Sequence, residues 1–187
     1  MWPTPISRST LRSSRLVLEP TCDSHATGLW AAVSASVDEL APWMGWAVEP
    51  QRHETLDFAT SAARSWGSSL FNFTILCSGE IIGSIGLDHF DDATASSSVG
   101  YWLRTDHAGK GLMTEAAASV VGFGFSRLTL HRIWLHAGVA NLGSIRVAEK
   151  AGFQQEGRLR EAARGVHGWH DVYVYGLLER DERLRST

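Results

Sequence analysis

The sequence predicts an α/β domain built on a mixed, mostly antiparallel central sheet flanked by helices. Three observations carry that prediction. Phe71 to Cys77 and Glu80 to Leu87 are runs rich in β-branched and aromatic residues, joined by Ser78-Gly79, the two-residue punctuation of a β-hairpin. The apolar runs Val99 to Leu103 and Arg132 to Val139 each lead through a polar or glycine-rich turn into a segment of helical periodicity. Ahead of the hairpin, two stretches ending near Pro42 and beginning after Pro50 carry apolar residues at helical spacing. The resulting order, β-α-α-β-β-β-α-β-α-β-β, requires a sheet with helices on both faces.

Each element follows from local chemistry. Leu11 to Glu19 reads as a first strand, with Leu16 and Leu18 alternating against Arg15, Val17 and Glu19. His25 to Val37 reads as a helix, and a second follows Pro50 with Leu56, Phe58, Ala59 and Ala63 marking its buried side. The polar run Asp91 to Ser98 reads as a loop leading into the strand at Val99. A helix is expected from about Met113 to Arg127 and a shorter one before Phe153, after which Arg158 to Val166 and Asp171 to Leu178 flank a turn at His167-Gly168. The charged tail from Glu179 to Thr187 is expected to fray.

Composition narrows the functional class. At 187 residues, 44% hydrophobic and 20% charged, the chain suffices for one domain over 1–187 with its core between about 11 and 179. A net charge of −3 supplies no general attraction for nucleic acid, which requires a clustered basic face. No apolar run reaches the ~18 residues of a membrane span, and Met1 to Arg15 has no signal-peptide core, so no membrane association and a cytoplasmic location are expected. Cys22 and Cys77 read as two buried free thiols, and most of the eight Trp as core.

Two segments carry chemistry. Ala108-Gly109-Lys110-Gly111-Leu112-Met113-Thr114-Glu115 puts two glycines between a strand and a helix, where several backbone N–H groups converge on one anion. That predicts a phosphate site. The segment matches neither the nucleotide P-loop nor G-x-G-x-x-G, so nucleotide hydrolysis is disfavoured. About thirty residues on, Asn141 and Ser144 stand one turn apart where a strand hands over to a helix, so both can face one ligand. Arg146 and Lys150, four apart on one helix face, are candidate phosphate cations together with Lys110.

In this order and spacing, the two segments resemble the GCN-type N-acetyltransferase superfamily (GNAT), which uses acetyl-coenzyme A. The wording is closest to the RimJ/RimL branch that acetylates ribosomal-protein N-termini. Further segments in family order are Leu40 to Trp46, Ile81 to Leu87, Gly100-Tyr101-Trp102-Leu103, Glu149 to Gly157 and Asp171 to Leu178. The resemblance implies the acyl-CoA N-acyltransferase fold, acetyl-CoA as co-substrate and no metal. The carrier would bind Gly109, Lys110, Gly111, Leu112, Met113 and Thr114 through its phosphates. It would meet Trp102, Leu103 and Arg104 at a strand end, where backbone groups pair with the pantetheine amides, and Asn141, Arg146 and Lys150 beyond. One departure is Ala108, where relatives start the loop with Gln or Arg, so a side-chain contact is lost while the backbone cradle stays.

Acetyl transfer from a thioester needs a neutral amine and an acid for the departing thiolate. Many relatives place a Tyr where this chain has Ala148, and the resemblance implies Ser144 as the general acid instead; a helix N-cap is the alternative role for a Ser there. The base is the larger departure. Positions that hold Glu in relatives read Ser98 and Ala163, which leaves Glu161 as a substitute near the acceptor, and Asp88, His89 and His107 as further candidates. His167, His170 and Asp171 read as a polar hairpin turn rather than a metal site. Trp43 and Trp46 fall in the region that lines the acceptor cleft of similar enzymes.

The reading is an acetyl-CoA-dependent N-acetyltransferase for a protein or peptide α-amine. An α-amine, with a pKa near 7.7–8.0, is neutral to about a tenth or more at pH 7, whereas lysine is neutral in only about one molecule in two thousand, so an enzyme short of carboxylates suits the first. A small-amine acetyltransferase for antibiotics or polyamines and a non-catalytic acyl-CoA sensor are the alternatives. An exposed aromatic turn at Trp169 suggests a homodimer.

Overall fold

Alternation of apolar and small polar side chains along the strands gives the sheet two unlike faces, and the layers follow from that. The computed structural model describes residues 6–185; the first five residues of the polar N-terminal stretch, and Ser186 and Thr187 of the tail, lie outside the described residues. Eight strands form one sheet: β1 (Leu11–Arg12), β2 (Leu16–Pro20), β3 (Phe71–Cys77), β4 (Glu80–Asp91), β5 (Ser96–Leu103), β6 (Arg132–Gly138), β7 (Gln154–Gly165) and β8 (Gly168–Leu178). Their order is β1-β2-β3-β4-β5-β6-β8-β7, and the β5–β6 pair is parallel while its neighbours are antiparallel. The expected mixed, mostly antiparallel sheet is present.

Phe71, Phe73 and Ile75 of β3, Ile85 and Leu87 of β4, and Ile133 and Leu135 of β6 are buried in the main core with Ala116, Ala117, Val120 and Val121 of α4 (Leu112–Arg127). Burying each large side chain contributes roughly 1.5–3 kcal/mol. The intervening residues, among them Asn72, Ser84, Gly86 and Asp88, look the other way, toward α1 (Ala26–Ser34) and α3 (Arg52–Ser65). There Ile81 and Trp102 pack on Ala26, Leu29 and Ala59. The polar groups under this layer are paired: the Thr21 hydroxyl donates to Asn72 Oδ1 at 2.7 Å and the Ser84 hydroxyl donates to the same oxygen at 2.8 Å. Those bonds make burial of Asn72, at 8% exposure, tolerable.

The Ser78-Gly79 hairpin turn forms as expected, both residues at positive φ (+52° and +82°), the requirement of a tight I′-type turn. Elsewhere the structure corrects the sequence reading. Leu11 to Glu19 is two short strands, β1 and β2, paired through Leu11 and Leu18, because Ser13-Ser14 turns the chain and the Ser13 N–H donates to Leu16 O. The first helix breaks after Ser34 and resumes as α2 (Val37–Leu40), with the Ser36 hydroxyl donating back to Ala32 O. On α3 the buried residues are Ala59 and Ala62, while Leu56 and Phe58 are exposed at 49% and 37%: only alanine-sized groups fit against α1. Asp91 to Ser98 is loop only over 92–95, since Ser96 to Ser98 are drawn into the sheet by parallel pairing with Arg132 to Trp134. The tail forms α6 (Glu179–Arg185), with Glu179, Asp181 and Glu182 in its first turn, where acidic groups suit the helix dipole. Cys22 and Cys77 are free thiols, half-buried rather than buried. No Trp among the described residues ranks among the largest fully buried side chains, which are led by Tyr175, Phe71 and Phe73.

The β7–β8 hairpin folds back onto the segment after α2. Gly165 is required there, because a Cβ would lie 2.0 Å from Pro42 O, and the Val166 N–H donates to Ala41 O at 2.8 Å.

Candidate active site

The site arises where the sheet parts. β5 and β6 pair only through Ser96, Ser97 and Ser98, opposite Arg132, Ile133 and Trp134, and then separate. Beyond that point β5 pairs with β4 and β6 with β8, so each strand turns one edge toward the opening between them. Antiparallel pairing directs the backbone groups of alternate residues to opposite sides. The Arg104 N–H bonds to Ile82 O of β4, and that parity turns Leu103 toward the open edge.

On the α1–α3 side, the opening meets a cavity of about 920 Å³. Its walls are Trp43, Met44 and Trp46 from the segment after α2, Phe58 and Glu54 of α3, and Trp102 of β5. Trp46 stands edge-on to Trp102 with ring centres 6.0 Å apart, and Trp43 edge-on to His170 at 5.9 Å. Asn72, Ser84, Asp88, His89 and His136 give it a polar floor.

On the opposite side lie α4 and α5 (Leu142–Ala151). Gly111 is the N-cap of α4 at φ +77°, and Gly109 has φ +74°, a conformation that only glycine adopts without strain. A Cβ on Gly109 would meet nothing within 4 Å, so glycine is called for there by the backbone conformation and not by crowding. Leu112 and Met113 bury their side chains in the core, which leaves their backbone groups to the loop, followed by half-buried Thr114. Lys110 is exposed, and its carbonyl accepts from the Arg15 guanidinium at 3.0 Å. Glu115 ties this helix start to the β1–β2 turn: it accepts from the Arg15 N–H at 2.8 Å, the Arg15 Nε at 2.7 Å and the Ser14 hydroxyl at 3.0 Å. Burial alone would push its carboxyl up, but these bonds and one from Ser13 together hold it at about 2.

At α5, Asn141 is the N-cap, its Oδ1 accepting from the Ser144 N–H at 3.0 Å. Ser144 in turn meets a group the sequence reading had not placed in the site: the Tyr101 hydroxyl lies 3.0 Å from Ser144 Oγ and 3.3 Å from Ser144 O. Burial pushes the Tyr101 phenol up to about 12, against the lowering effect of the Ser144 bond, so it stays protonated at neutral pH. Tyr101 also lines the cavity, so one side chain touches both sides of the opening. Its signal was available in Gly100-Tyr101-Trp102, but which strand end faces α5 is a matter of topology. Ala148, where a Tyr was expected from relatives, is fully buried.

Arg146 and Lys150 lie exposed on α5, one turn apart. The Arg104 side chain is engaged within the chain: its guanidinium is taken up bidentately by Asp106 (2.7 and 2.9 Å) and by Glu80 at 2.6 Å, which raises its own pKa and lowers that of Asp106, so only its backbone is left for the strand-end role expected of it. Glu161, the expected substitute base, is exposed on a bulge of β7 at φ +51° and is not among the residues that line the cavity; its N–H donates to Asp171 Oδ1 at 2.9 Å. Asp171 is spent on that bond and on Arg158, which draw its pKa down. His107 is engaged by Asp106 at 2.8 Å. Asp88 and His89, by contrast, line the cavity, with Ser98 Oγ donating to Asp88 Oδ1.

Comparison with known proteins adds to this geometry. A family model described as an acetyltransferase (GNAT) domain matches residues 15–154. The Bacillus subtilis (strain 168) protein YdaF, whose name reads "Putative ribosomal N-acetyltransferase", is 28% identical over 172 residues, covering 88% of this chain and 90% of its own. The Escherichia coli (strain K12) spermidine N(1)-acetyltransferase is 30% identical over 112 residues, 60% of this chain and 55% of its own. Among solved structures, RimL, a ribosomal L7/L12 alpha-N-protein acetyltransferase in complex with coenzyme A, superposes with a TM-score of 0.85 at 21% identity, covering 91% of this chain and 98% of that one. That likeness establishes the same fold.

Proposed function

The chain belongs to the acetyltransferase (GNAT) family of N-acetyltransferases, and from that premise we propose that it transfers the acetyl group of acetyl-CoA to the α-amine of a protein or peptide N-terminus, ribosomal proteins first among them. One observation carries the reading: the parted β5 and β6 leave an open strand edge that meets an aromatic cavity on one side and the starts of α4 and α5 on the other. A pantetheine arm suits such an edge, since its amides can add to a strand as a peptide would. The pyrophosphate suits the N–H groups from Gly109 to Thr114, with Lys110, Arg146 and Lys150 as cations. RimL, of the same fold, holds coenzyme A, and the name of YdaF points to a ribosomal acceptor.

In the proposed reaction the amine enters past Trp43 and Trp46 and attacks the thioester carbon. A C–N bond forms, the C–S bond breaks, and one proton passes overall from nitrogen to sulfur. Ser144 is the proposed acid, giving its hydroxyl proton to the departing thiolate. Tyr101, kept protonated by burial and 3.0 Å from Ser144 Oγ, is the proposed donor to that oxygen as it gives up its proton. Asn141 fixes the start of α5 so that Ser144 holds its place.

The polyamine alternative draws support from the spermidine-acetylating relative. Against it, the cavity carries Glu54 and Asp88 as its carboxylates beside a mostly aromatic wall, where a polycation calls for several acids. Thiol release from acetyl-CoA, measured with N-terminal peptides, the same peptides N-acetylated but carrying an internal Lys, spermidine and an aminoglycoside, separates the readings. Turnover of free N-termini alone is expected. Equal turnover of the blocked peptide overturns the α-amine assignment, preference for spermidine favours the relative's chemistry, and coenzyme binding without turnover favours a sensor.

The continuous sheet supports one domain over the chain. The β7–β8 hairpin exposes Leu159, Val166 and Trp169, the last at 64%, and this surface is proposed to pair two copies about a two-fold axis in the cytoplasm. Light scattering at micromolar concentration should give twice the chain mass, and Trp169→Glu should give the monomer.

A further inference from the structure

Ser98, two residues before Gly100, belongs to a group of three polar side chains that meet at the acceptor cavity. Asp88 of β4 is the direct cross-strand partner of Ser98. Immediately after it the β4–β5 register slips before pairing resumes at Asp91 and Ser96. In that slip His89 sits at φ +48°, a left-handed backbone that is uncommon outside glycine, though histidine adopts it more readily than most residues. In a regular strand Asp88 and His89 would point to opposite faces; here both line the acceptor cavity. A bulge that re-aims a side chain, held at a backbone cost, is a recurrent feature of active sites.

The three side chains are joined. His89 Nδ1 lies 2.8 Å from Asp88 Oδ1 and 3.2 Å from Ser98 Oγ, and the Ser98 hydroxyl donates to Asp88 Oδ1. A carboxylate acting on Nδ1 keeps the ring proton there and leaves Nε2 with a free lone pair, the form a general base needs. Gly100 and Tyr101, at the reacting end of the opening, line the same cavity. Ser98 precedes Gly100 by two residues, roughly 7 Å along the strand, a span that an amine and one bridging water cover.

Resting on the reading that this cavity receives an amine acceptor, we infer that His89 is the general base of the transfer, positioned by Asp88 and Ser98. As the amine nitrogen bonds to the thioester carbon, His89 Nε2 takes one of its protons. The C–S bond breaks, the thiolate takes a proton from Ser144, and the proton on His89 returns through solvent to Ser144, so charge and atoms balance. The groups that face His89 are Asp88 on its own strand, Ser98 on β5 and, on β6, His136 and the Trp134 ring, whose centre is 6.3 Å away; Glu54 of α3 lines the cavity wall. Burial and the neighbouring His89 both push the His136 pKa down, so His136 favours its neutral form and does not compete for the proton.

The test uses the whole chain and an N-terminal peptide. His89→Ala should lower kcat by about 100-fold while the coenzyme A dissociation constant stays within twofold, and added imidazole should restore at least a tenth of the lost rate. Asp88→Asn, which keeps the shape, should lower kcat with an unchanged peptide KM. A folded His89→Ala enzyme within twofold of wild type from pH 6 to 9, or one whose lost rate imidazole does not restore, overturns the assignment of the base alone. If the wild-type enzyme turns over no amine at all, the acceptor reading fails and the base with it.

Discussion

The Tyr101 hydroxyl stands 3.0 Å from Ser144 Oγ, joining the middle of β5 to the first turn of α5 across the opening in the sheet. A serine hydroxyl alone is a weak acid. A phenol donating to it makes the developing negative charge on oxygen less costly.

Removing either partner should therefore act on the transition state. Ser144→Ala is expected to lower kcat by roughly 10²-fold or more, and Tyr101→Phe, which keeps the buried ring, by about tenfold, both with the coenzyme A dissociation constant within a few-fold. Steady-state kinetics with calorimetry decide it. An unchanged kcat in Ser144→Ala would reduce that residue to a helix-start contact.

The glycine cradle predicts a separation of affinity from stability. Gly111 and Gly79 have nearly equal backbones, φ +77° and +82°, so valine at either place costs about 1–2 kcal/mol of left-handed strain. Both variants should melt a few degrees lower. Only Gly111→Val should lose coenzyme A affinity, by tenfold or more, as read by calorimetry. Equal affinities would remove the phosphate from this loop.

Acid should loosen the chain at Glu115. Its carboxyl, held near 2 against an ordinary 4.5, contributes stability that is complete above about 4.5 and is lost as pH falls through about 2. Urea unfolding in steps from pH 5 to 2.5 should show wild type losing stability faster than Glu115→Gln. Parallel slopes would mean that the carboxylate gives nothing to the fold.

The aromatic wall should govern the acceptor alone. Trp46→Ala, at a half-exposed side chain that touches Trp102, is expected to raise the peptide KM about tenfold while leaving the coenzyme A dissociation constant unchanged. A matching loss of both affinities would place Trp46 on the carrier side.

What the sequence disclosed and what it withheld divide along the range of the interactions. Ser78-Gly79, the glycines at 109 and 111, and Asn141 ahead of a helix are decided within a few residues, and the structure has them as the local chemistry demands. Ser96 to Ser98 look like loop because three serines carry no strand pattern of their own; pairing makes them strand, with Asp88 and Asp91 of β4 on one side and with β6, more than thirty residues on, on the other. Nothing in the neighbourhood of Arg104 tells that its guanidinium is taken by Glu80, twenty-four residues away in sequence and 2.6 Å away in space. Tyr101 and the Asp88–His89 pair were legible as residue types, but their roles depend on a strand crossing and a bulge. Leu56 and Phe58 were assigned to the core by periodicity, which cannot tell a face against alanines from a face over a cavity.

The early parting of β5 and β6 makes acetyl-CoA, on the proposed reading, a ninth strand as well as a reactant. A ligand that binds the folded chain alone, present at a hundred times its dissociation constant, adds about 2.7 kcal/mol to stability. The cellular lifetime of the protein would then follow the supply of its own co-substrate: in a starved cell the enzyme would become easier to degrade just as it ran out of work.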